Sequence, residues 1–271
     1  MNLKKEMKYL LGCIRRCDKN YHLIEEGDRI LVGVSGGKDS MVLLYALSRY
    51  QQFTEVNFEL QAVTLDMGFK VVDASAIAAF CEKLGIEYRC IRTDVASVIR
   101  EKGQDESPCS LCARMRRGAL TTTARELGCN KIALGHQRED VMETFLLSLF
   151  HEGRLHTFAP ITWLDRSDIT QIRPMVYAAE ARIQSIARQV DMPIQSAQCT
   201  VADATQRRSM REMIHTLEVM QPGFRERLCR AIETPDSYGL WDKTKVRPTD
   251  MPSPAAVRMA SFTSWAQASE P

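Results

Sequence analysis

The stretch VGVSGGKDSMVLL, residues Val32–Leu44, joins one apolar run ending at Val34 to a second apolar run beginning at Met41. Between them lie two serines, two glycines, a lysine and an aspartate. The first run is typical of a buried strand and the second of a helix, so the polar residues fall at the carboxyl end of a strand. Ligands of doubly wound sheets bind at that place. The stretch therefore predicts an α/β fold with a ligand-binding loop.

This loop carries the groups that bind an anion such as phosphate. Gly36 and Gly37 permit a tight turn and close approach of a ligand, while helix N–H groups and Lys38 supply positive charge. The P-loop pattern does not fit, because Gly33 stands one residue too close to Gly37 and Asp39 replaces the required Ser or Thr. The dinucleotide fingerprint does not fit either. A purely structural turn, with Asp39 complementing the helix dipole, is the alternative.

Short β-branched runs alternate with longer helical patterns, which indicates βαβ units and a parallel sheet. The predicted strands are Arg29–Val34, Glu59–Leu65, Glu87–Arg92, Lys131–Leu134 and Thr170–Arg173. The predicted helices are Ser40–Arg49, Ala74–Leu84, Leu111–Leu127, Glu139–Phe150, Glu180–Gln189, Asp203–Met220 and Gly223–Glu233. Gly85 and Gly128 stand where two of these helices should stop. The sequence predicts a Rossmann-like doubly wound parallel sheet with small helical additions at both ends.

The pattern also predicts a division of the chain into parts. These are a helical segment at 1–27, the α/β domain at 28–200, a helical region at 201–243 and a disordered tail at 244–271. The tail is assigned because it contains several prolines and no sustained apolar period.

The composition is that of an ordinary globular protein, with 45% hydrophobic and 26% charged residues among 271. No window reaches the roughly 18 apolar residues of a membrane span, and the apolar segment near the start is too short for a signal peptide. Nine cysteines, an odd number, stand mostly singly in apolar contexts. They indicate thiols or metal ligands in a reducing compartment, so we expect a cytoplasmic protein without a membrane partner.

The net charge of +2 is too small to indicate a nucleic-acid partner by itself, but arginines cluster locally. The clusters are Arg15 with Arg16, Arg114 to Arg117, Arg207 with Arg208 and Arg211, and Arg225 with Arg227 and Arg230. Each cluster could be a solvated helix face. Only their convergence on one surface would make an RNA track.

The loop SGGKDS resembles that of the PP-loop ATP pyrophosphatases, which adenylate a carbonyl oxygen and release pyrophosphate. Further segments resemble the tRNA 2-thiocytidine synthetases: ESPCSLCARMRRGAL (Glu106–Leu120), KIALGHQREDVMETFLLSLF (Lys131–Phe150), IRPMVY (Ile172–Tyr177) and the single Cys199 ahead of QRRSM. The resemblance runs from Tyr9 to Asp242. The loop alone identifies only the superfamily, whereas the loop, a CxxC pair and a later cysteine in this order are specific to iron–sulfur-dependent tRNA thiolases.

The resemblance implies roles for individual residues. The residues implied to bind ATP are Ser35, Gly36, Gly37, Lys38, Asp39, Ser40, Asp66, Gly135 and His136, and those implied in catalysis are Lys38, Asp39 and Asp140. Asp140 could hold Mg²⁺ or orient the acceptor, or merely complement the first turn of a helix. The family usually shows Gly-His-His-Arg-Asp-Asp at Gly135–Asp140. Gln137 and Glu139 depart from this pattern, which puts an acid–base role at position 137 in doubt.

The pair Cys109 and Cys112 could, by itself, be half of a zinc site or a redox pair. The resemblance adds Cys199 as a third thiolate, which leaves one iron of a [4Fe–4S] cluster open to sulfide. Cys13 and Cys17 lie one helical turn apart, as structural thiols or as metal ligands. The remaining cysteines are predicted to be packing residues: Cys81, Cys90, Cys129 and Cys229.

The implied function is thiolation of cytidine 32 in the tRNA anticodon loop. The C2 oxygen is a poor leaving group, so AMP transferred from ATP would activate it before sulfide attacks C2. The implied cofactors and partners are a [4Fe–4S] cluster, Mg²⁺, ATP, a cysteine desulfurase as sulfur source and a second copy of the chain in a homodimer. The alternatives are a related enzyme that thiolates uridine or forms lysidine, and a non-catalytic ATP-binding iron–sulfur sensor.

Overall fold

The structure is a computed structural model that describes residues 2–69, 71–102, 108–195 and 203–234. Within these residues the strands are β1 Asp28–Gly33, β2 Phe58–Asp66, β3 Glu87–Arg92, β4 Lys131–Ala133, β5 Ile161–Leu164 and β6 Ile169–Ile172. They form one sheet in the order β3-β2-β1-β4-β6-β5. All neighbours pair in parallel except β5 and β6, which are antiparallel. The doubly wound parallel sheet predicted from the sequence is confirmed, and β5 adds an antiparallel strand at its edge.

Helices follow most of the strands. They are α1 Leu3–Tyr21, α2 Lys38–Tyr50, α3 Ala74–Leu84, α4 Val95–Lys102, α5 Pro108–Glu126, α6 Arg138–Leu147, α7 Glu180–Gln189, α8 Asp203–Met220 and α9 Phe224–Glu233. A short π-helical segment, Ser148–Glu152, extends α6. The helix predicted to run as one piece from Glu139 to Phe150 is therefore divided at Leu147.

Local sequence explains several helix ends. The side chain of Asn2 accepts a hydrogen bond from the Lys4 N–H at 2.9 Å and begins α1. Asp73 caps α3 in the same way through the Ala76 N–H, at 3.1 Å. Gly85 then ends α3 with a φ of 70°, a left-handed conformation that glycine adopts without strain. The helix stop predicted at Gly85 is confirmed.

One hydrophobic cluster fixes the strands against α5. Its buried members are Leu31, Val63, Leu65, Leu120, Ala124, Cys129, Ile132 and Ile169. Full burial of each large aliphatic side chain contributes about 1.5–3 kcal/mol. The cluster holds β1, β2 and β4 in register, and the carboxyl ends of these strands carry the polar loops of interest.

The strand order creates a crevice beside β1. Strand β2 pairs with one edge of β1. The chain later returns, and β4 pairs with the other edge of β1. Such a switch in strand order is the usual ligand site of doubly wound sheets. The loops after β1 and β4 contain SGGKDS and GHQRED, respectively, so both motifs border this crevice.

Some predictions require correction. Strand β5 and helix α4 were not predicted, because four residues at a sheet edge and eight residues rich in β-branched side chains give weak patterns. Cys90 was predicted to be a packing residue, which is wrong. Its strand β3 is an edge strand, and the Cys90 side chain is exposed. Cys81 and Cys129 are buried as predicted, and Cys229 is half-buried.

The chain divides into two compact units, residues 1–225 and 226–271. The first unit contains the sheet. Within the described part of the second unit, residues 226–233 are helical and the Thr234 hydroxyl donates to the Arg230 carbonyl at 2.8 Å. The domain boundaries predicted from the sequence stay predictions, and residues 235–271 of the predicted tail lie outside the described residues. Among the described residues, no helix is long and apolar enough to cross a bilayer.

Candidate active site

The SGGKDS loop is folded as an anion-binding turn. Gly36 has a φ of 79°, which side chains with a Cβ rarely adopt. Gly37 is the N-cap of α2, and no side chain of the described residues caps this helix. The N–H groups of the first helical turn are therefore presented to the crevice, where they favour a negatively charged ligand. The geometry suits a phosphate group.

The two serines of the loop hold its shape. The Ser35 N–H donates to Ser40 Oγ at 3.1 Å, and Ser40 Oγ donates to the Gly37 carbonyl at 2.9 Å. The Gly37 N–H reaches Ser35 Oγ at 3.3 Å, which is a long hydrogen bond. A phosphate oxygen could compete for that N–H at small cost.

Lys38 lies between two carboxylates. Its Nζ is 2.9 Å from Asp39 Oδ1 and 3.0 Å from Glu180 Oε1. Burial alone lowers the pKa of Lys38, but the charges of Asp39 and Glu180 outweigh burial and raise it. Lys38 therefore carries a full positive charge, held within the site by acidic partners. Glu180, at the start of α7, was not predicted as a site residue.

The GHQRED loop packs directly against SGGKDS. A Cβ placed on Gly135 would lie 3.0 Å from the carbonyl carbon of Asp39 and 3.1 Å from the Ser40 nitrogen. Backbone atoms cannot move aside as easily as the tip of a side chain, so this close contact strongly favours glycine. Gly135 therefore sets the separation of the two loops.

Gln137 and Glu139, the two residues that depart from the family pattern, are buried and make structural contacts. Gln137 is 2% exposed and is the N-cap of α6, and its N–H donates to Asp140 Oδ2 at 2.9 Å. Glu139 is 5% exposed, accepts the Glu180 N–H at 2.8 Å and pairs with Arg225 at 3.3 Å. Glu139 thus joins α6 to the start of α7 and to Arg225, whereas the Gln137 bond closes the first turn of α6 itself.

Asp140 is a buried carboxyl with other carboxylates nearby. Burial raises its pKa to about 6, the Gln137 N–H opposes this shift, and the charges of Asp39 and Glu143 add to it. A Mg²⁺ ion would relieve this repulsion, because hard cations prefer carboxylate oxygens. The predicted residues Asp39 and Asp140 are therefore brought together.

Helix α8 brings arginines to the same carboxylates. Arg211 Nε is 2.8 Å from Glu143 Oε1, and Glu143 is 1% exposed. Arg207 lies 3.7 Å from Asp140 and 4.0 Å from Glu143. Of the three clustered arginines of α8, Arg207 and Arg211 therefore form ion pairs inside the site, whereas Arg208 pairs with Glu212 on the exposed face. The sequence did not reveal Glu143 as their partner.

His136 is a neutral imidazole in this arrangement. Its ring lies 4.7 Å from the ring of Phe158, which the Arg173 guanidinium contacts from 5.1 Å. Burial, and then the positive charges of Arg173, Arg207 and Arg116, lower the pKa of His136 to about 3. Nδ1 is buried without a hydrogen-bond partner among the described residues. His136 can offer a hydrogen bond to a ligand, but not a positive charge.

The structure describes only some of the remaining candidate residues. Asp66 ends β2, and its carboxylate accepts the Gly68 N–H at 2.9 Å. Cys112 is half-buried on α5, one turn after Cys109, and Cys199 lies outside the described residues. The described residues contain no group of three or more His, Cys, Asp or Glu side chains that could hold a metal ion. The three-cysteine site therefore stays a prediction.

Cys13 and Cys17 fit the structural alternative. Their thiols lie 3.7 Å from the Tyr177 carbonyl and 3.8 Å from the Arg173 carbonyl, respectively. Both contacts fasten α1 to the segment after β6.

Residues 12–217 match the protein family described as the PP-loop domain. The chain is 41% identical over 233 residues to the tRNA-cytidine(32) 2-sulfurtransferase of Dechloromonas aromatica, which covers 85% of this chain and 81% of that protein. It is 38% identical over 248 residues to the protein of the same name from Geobacter sulfurreducens, with coverage of 90% and 96%.

Solved structures share the fold. The U34-tRNA thiolase NcsA from Methanococcus maripaludis, solved with its [4Fe-4S] cluster, superposes with a TM-score of 0.68 at 23% identity, covering 84% of this chain and 78% of that one. NMN synthetase from Francisella tularensis superposes with a TM-score of 0.52 at 15% identity, covering 90% and 99%. At these identities the likeness concerns the fold alone.

Proposed function

The chain belongs to the tRNA-cytidine(32) 2-sulfurtransferase family of PP-loop proteins, and we propose that it uses ATP to thiolate C2 of cytidine 32 in tRNA. The proposal rests on the contact between the two loops, in which Gly135 packs on the backbone of Asp39 and Ser40. This contact gathers the phosphate loop, Lys38 and two carboxylates in one crevice. Such a set is suited to binding Mg²⁺–ATP and releasing pyrophosphate.

In this proposal the loop Ser35–Ser40 binds the phosphates through its N–H groups. Lys38 exchanges Asp39 and Glu180 for phosphate oxygens, which are also negatively charged. Negative charge grows on pyrophosphate as the C2 oxygen of the base attacks the α-phosphorus and the bond to pyrophosphate breaks. An ammonium group fixed beside it stabilises the transition state more than the ground state.

Asp39 and Asp140 are the proposed ligands of Mg²⁺. Their oxygen atoms fit a hard cation. Burial raises the pKa of both carboxyl groups, and the charge of Asp39 adds to the shift of Asp140. His136, which stays neutral, is proposed to donate or accept a hydrogen bond at the nucleotide. Asp66 and Gly135 complete the proposed nucleotide site, Asp66 at the end of the neighbouring strand β2.

Cys109, Cys112 and Cys199 are the proposed ligands of a [4Fe–4S] cluster. Thiolates suit iron, and Cys109 and Cys112 stand three residues apart in the sequence of α5. Such a cluster, when bound, supplies sulfur for the activated C2. We propose a cysteine desulfurase as the source of that sulfur, a homodimer as the assembly and the cytoplasm as the location.

The proposed tRNA contact begins on the same helix as the cysteine pair. Arg116 and Arg117 are exposed on α5. Their positive charges also reach the site, because Arg116 lowers the pKa of His136 and Arg117 lowers that of Arg173. Exposed arginines there can neutralise phosphates of a tRNA loop while the target base enters the crevice.

The first test is pyrophosphate release by protein purified without oxygen. We expect release when tRNA and ATP are both present, none with ATP alone, and 2-thiocytidine at position 32 in the product tRNA by mass spectrometry. Pyrophosphate release that does not depend on tRNA would contradict the proposed acceptor. Thiolation of another base would contradict the proposed position.

The second test is Lys38→Ala, with Lys83→Ala as its control because Lys83 is exposed on α3, away from the loop. Losing one donor to the leaving group typically slows turnover by about 10²–10³-fold. The Lys38 side chain is 28% exposed, so we expect a stability change of only about 1 kcal/mol. Near-normal thiolation by Lys38→Ala, or its failure to fold, would contradict the assigned role.

A further inference from the structure

Arg207 of α8 is held at the crevice by charge, without a hydrogen bond. Its Nη1 lies 3.7 Å from Asp140 Oδ1 and 4.0 Å from Glu143 Oε2, and both distances exceed those of hydrogen bonds. Among the residues that the structure describes, none accepts a hydrogen bond from this guanidinium group. The side chain is 43% exposed, and its five N–H donors are suited to binding an anion.

Arg211, one turn further along α8, is bound much more firmly. Its Nε donates to Oε1 of the buried Glu143 at 2.8 Å. Met210 and Ile214 of the same helix are buried as well. Glu143 therefore keeps a close partner, and α8 keeps its position, when the side chain of Arg207 moves.

Arg207 and Lys38 approach the same pair of carboxylates from different helices. Lys38 Nζ, on α2, is 2.9 Å from Asp39, and Arg207, on α8, lies nearest to Asp140. Besides burial, the charge of Asp39 raises the pKa of Asp140, so these two carboxylates are neighbours. Burial lowers the pKa of His136, and the charge of Arg207 adds to this shift. Arg207 is therefore within electrostatic reach of the crevice between the two loops.

We propose that Arg207 binds a phosphate oxygen of ATP, after exchanging the Asp140 carboxylate for the nucleotide. The inference rests on the proposed function, because it takes the crevice to bind Mg²⁺–ATP. When Asp140 serves as a ligand of Mg²⁺, its negative charge is compensated, and the guanidinium group of Arg207 is left to pair with phosphate. Guanidinium and phosphate form short, charge-assisted hydrogen bonds, often through two parallel N–H groups.

The exchange gives Arg207 opposite effects on two ligands. Without nucleotide, its positive charge lies 3.7 Å from Asp140 and opposes binding of another cation to that carboxylate. With nucleotide, the same charge attracts the phosphates. A residue that only held α8 in place would affect the binding of both ligands in the same direction.

The test compares Arg207→Ala with the wild type in two binding measurements on full-length protein at pH 8. Mn²⁺, which prefers the same oxygen ligands as Mg²⁺, is titrated without nucleotide and followed by electron paramagnetic resonance. The α,β-methylene analogue of ATP, which cannot release pyrophosphate, is titrated by calorimetry in excess Mg²⁺. In Arg207→Ala we expect the affinity for Mn²⁺ to rise by about 2–5-fold and the affinity for the analogue to fall by about 10-fold.

Arg208→Ala is the matched control. Arg208 is the next residue of α8 and pairs with Glu212 on the exposed face at 3.0 Å. This variant removes the same charge from the same helix, and both affinities should stay within about 2-fold of the wild type. Arg207→Lys keeps the charge but loses the paired donors, so we expect an affinity for Mn²⁺ as in the wild type and an intermediate loss for the analogue.

Equal affinity for the analogue in Arg207→Ala and wild type would overturn the inference, and weaker tRNA binding by that variant would then assign the arginine to tRNA. An affinity for Mn²⁺ that does not rise would also overturn it, because Arg207 would then not compete at Asp140. A wild type that binds no analogue would contradict the proposed function as well. Should Arg207→Ala fail to fold, Arg207→Gln, with a neutral polar side chain, decides by the same two measurements.

Discussion

Asp140 is a carboxyl group on which two effects act in opposite directions. The Gln137 N–H stabilises its ionised form, whereas burial and the charges of Asp39 and Glu143 favour its neutral form and bring its pKa to about 6. Since an unfolded aspartate ionises near pH 3.9, the unfolded chain loses this proton first as the pH rises. Ionised Asp140 therefore costs stability above pH 6, and this cost disappears below about pH 4.

Asp140→Asn should accordingly raise the free energy of unfolding at high pH, while its amide oxygen can still accept the Gln137 N–H. We expect a gain on the order of 2 kcal/mol at pH 8 and no gain near pH 4, measured by urea unfolding of ligand-free protein. The low pKa of His136 affects both proteins alike and cancels in the difference. A gain independent of pH would contradict this assignment.

Gly135 offers a second test at one position. Gly135→Ala would place a Cβ 3.0 Å from the backbone of Asp39, so we expect a loss of about 1–3 kcal/mol and weaker ATP binding. Gly12 is the matched control, because a Cβ there, on the exposed side of α1, would meet nothing within 4 Å. Gly12→Ala should stabilise the protein by about 0.5–1 kcal/mol. Equal effects of the two changes on ATP binding would contradict the close contact of the loops.

Among the helices and strands, several were predictable from the sequence with their exact bounds. β3, α3 and α7 have the predicted bounds, Glu87–Arg92, Ala74–Leu84 and Glu180–Gln189. Strand β5 was not predictable. It has only four residues at the sheet edge, one of them the exposed Trp163, so it forms by pairing with β6 and its own pattern gives little signal.

The site was predictable only where its residues are neighbours in sequence. SGGKDS and GHQRED stand out as short polar segments after strands. Glu143 and Arg211, in contrast, are 68 residues apart, and each alone looks like a charged residue of an ordinary helix. The pairing of Lys38 with Glu180 is equally remote. Such contacts follow from helix packing, which local patterns do not encode.

The ion pair between α6 and α8 can be tested with two arginines of α8. Arg211→Ala leaves the buried Glu143 carboxylate with only the more distant Arg207, so we expect a loss of about 2 kcal/mol. Arg208 pairs with Glu212 at the exposed face, and Arg208→Ala should cost about 0.3–0.5 kcal/mol. Urea unfolding of both variants gives the comparison. Equal losses would show that the pair with Glu143 does not hold α8.

In the molecule as a whole, the switch in strand order collects segments that are distant in sequence. The loops after β1 and β4 meet in the crevice, Gln195 bonds to the first loop, and Arg207 and Arg211 pair with carboxylates on α6. The segment that carries Cys199 lies between Gln195 and α8 in the sequence. A change at Cys199 can therefore be expected to act on the proposed cluster while leaving the sheet intact.

Cys199→Ala is the corresponding test of the proposed cluster. Two thiolates cannot replace three, so protein purified without oxygen should lose its brown colour, its iron and its thiolation activity together. Cys90→Ala is the control, since Cys90 is an exposed thiol on the edge strand β3 and should not affect iron content. An iron with an open position is sensitive to oxygen, so the comparison requires anaerobic preparations of both variants. Full iron content in Cys199→Ala would remove this cysteine from the ligand set.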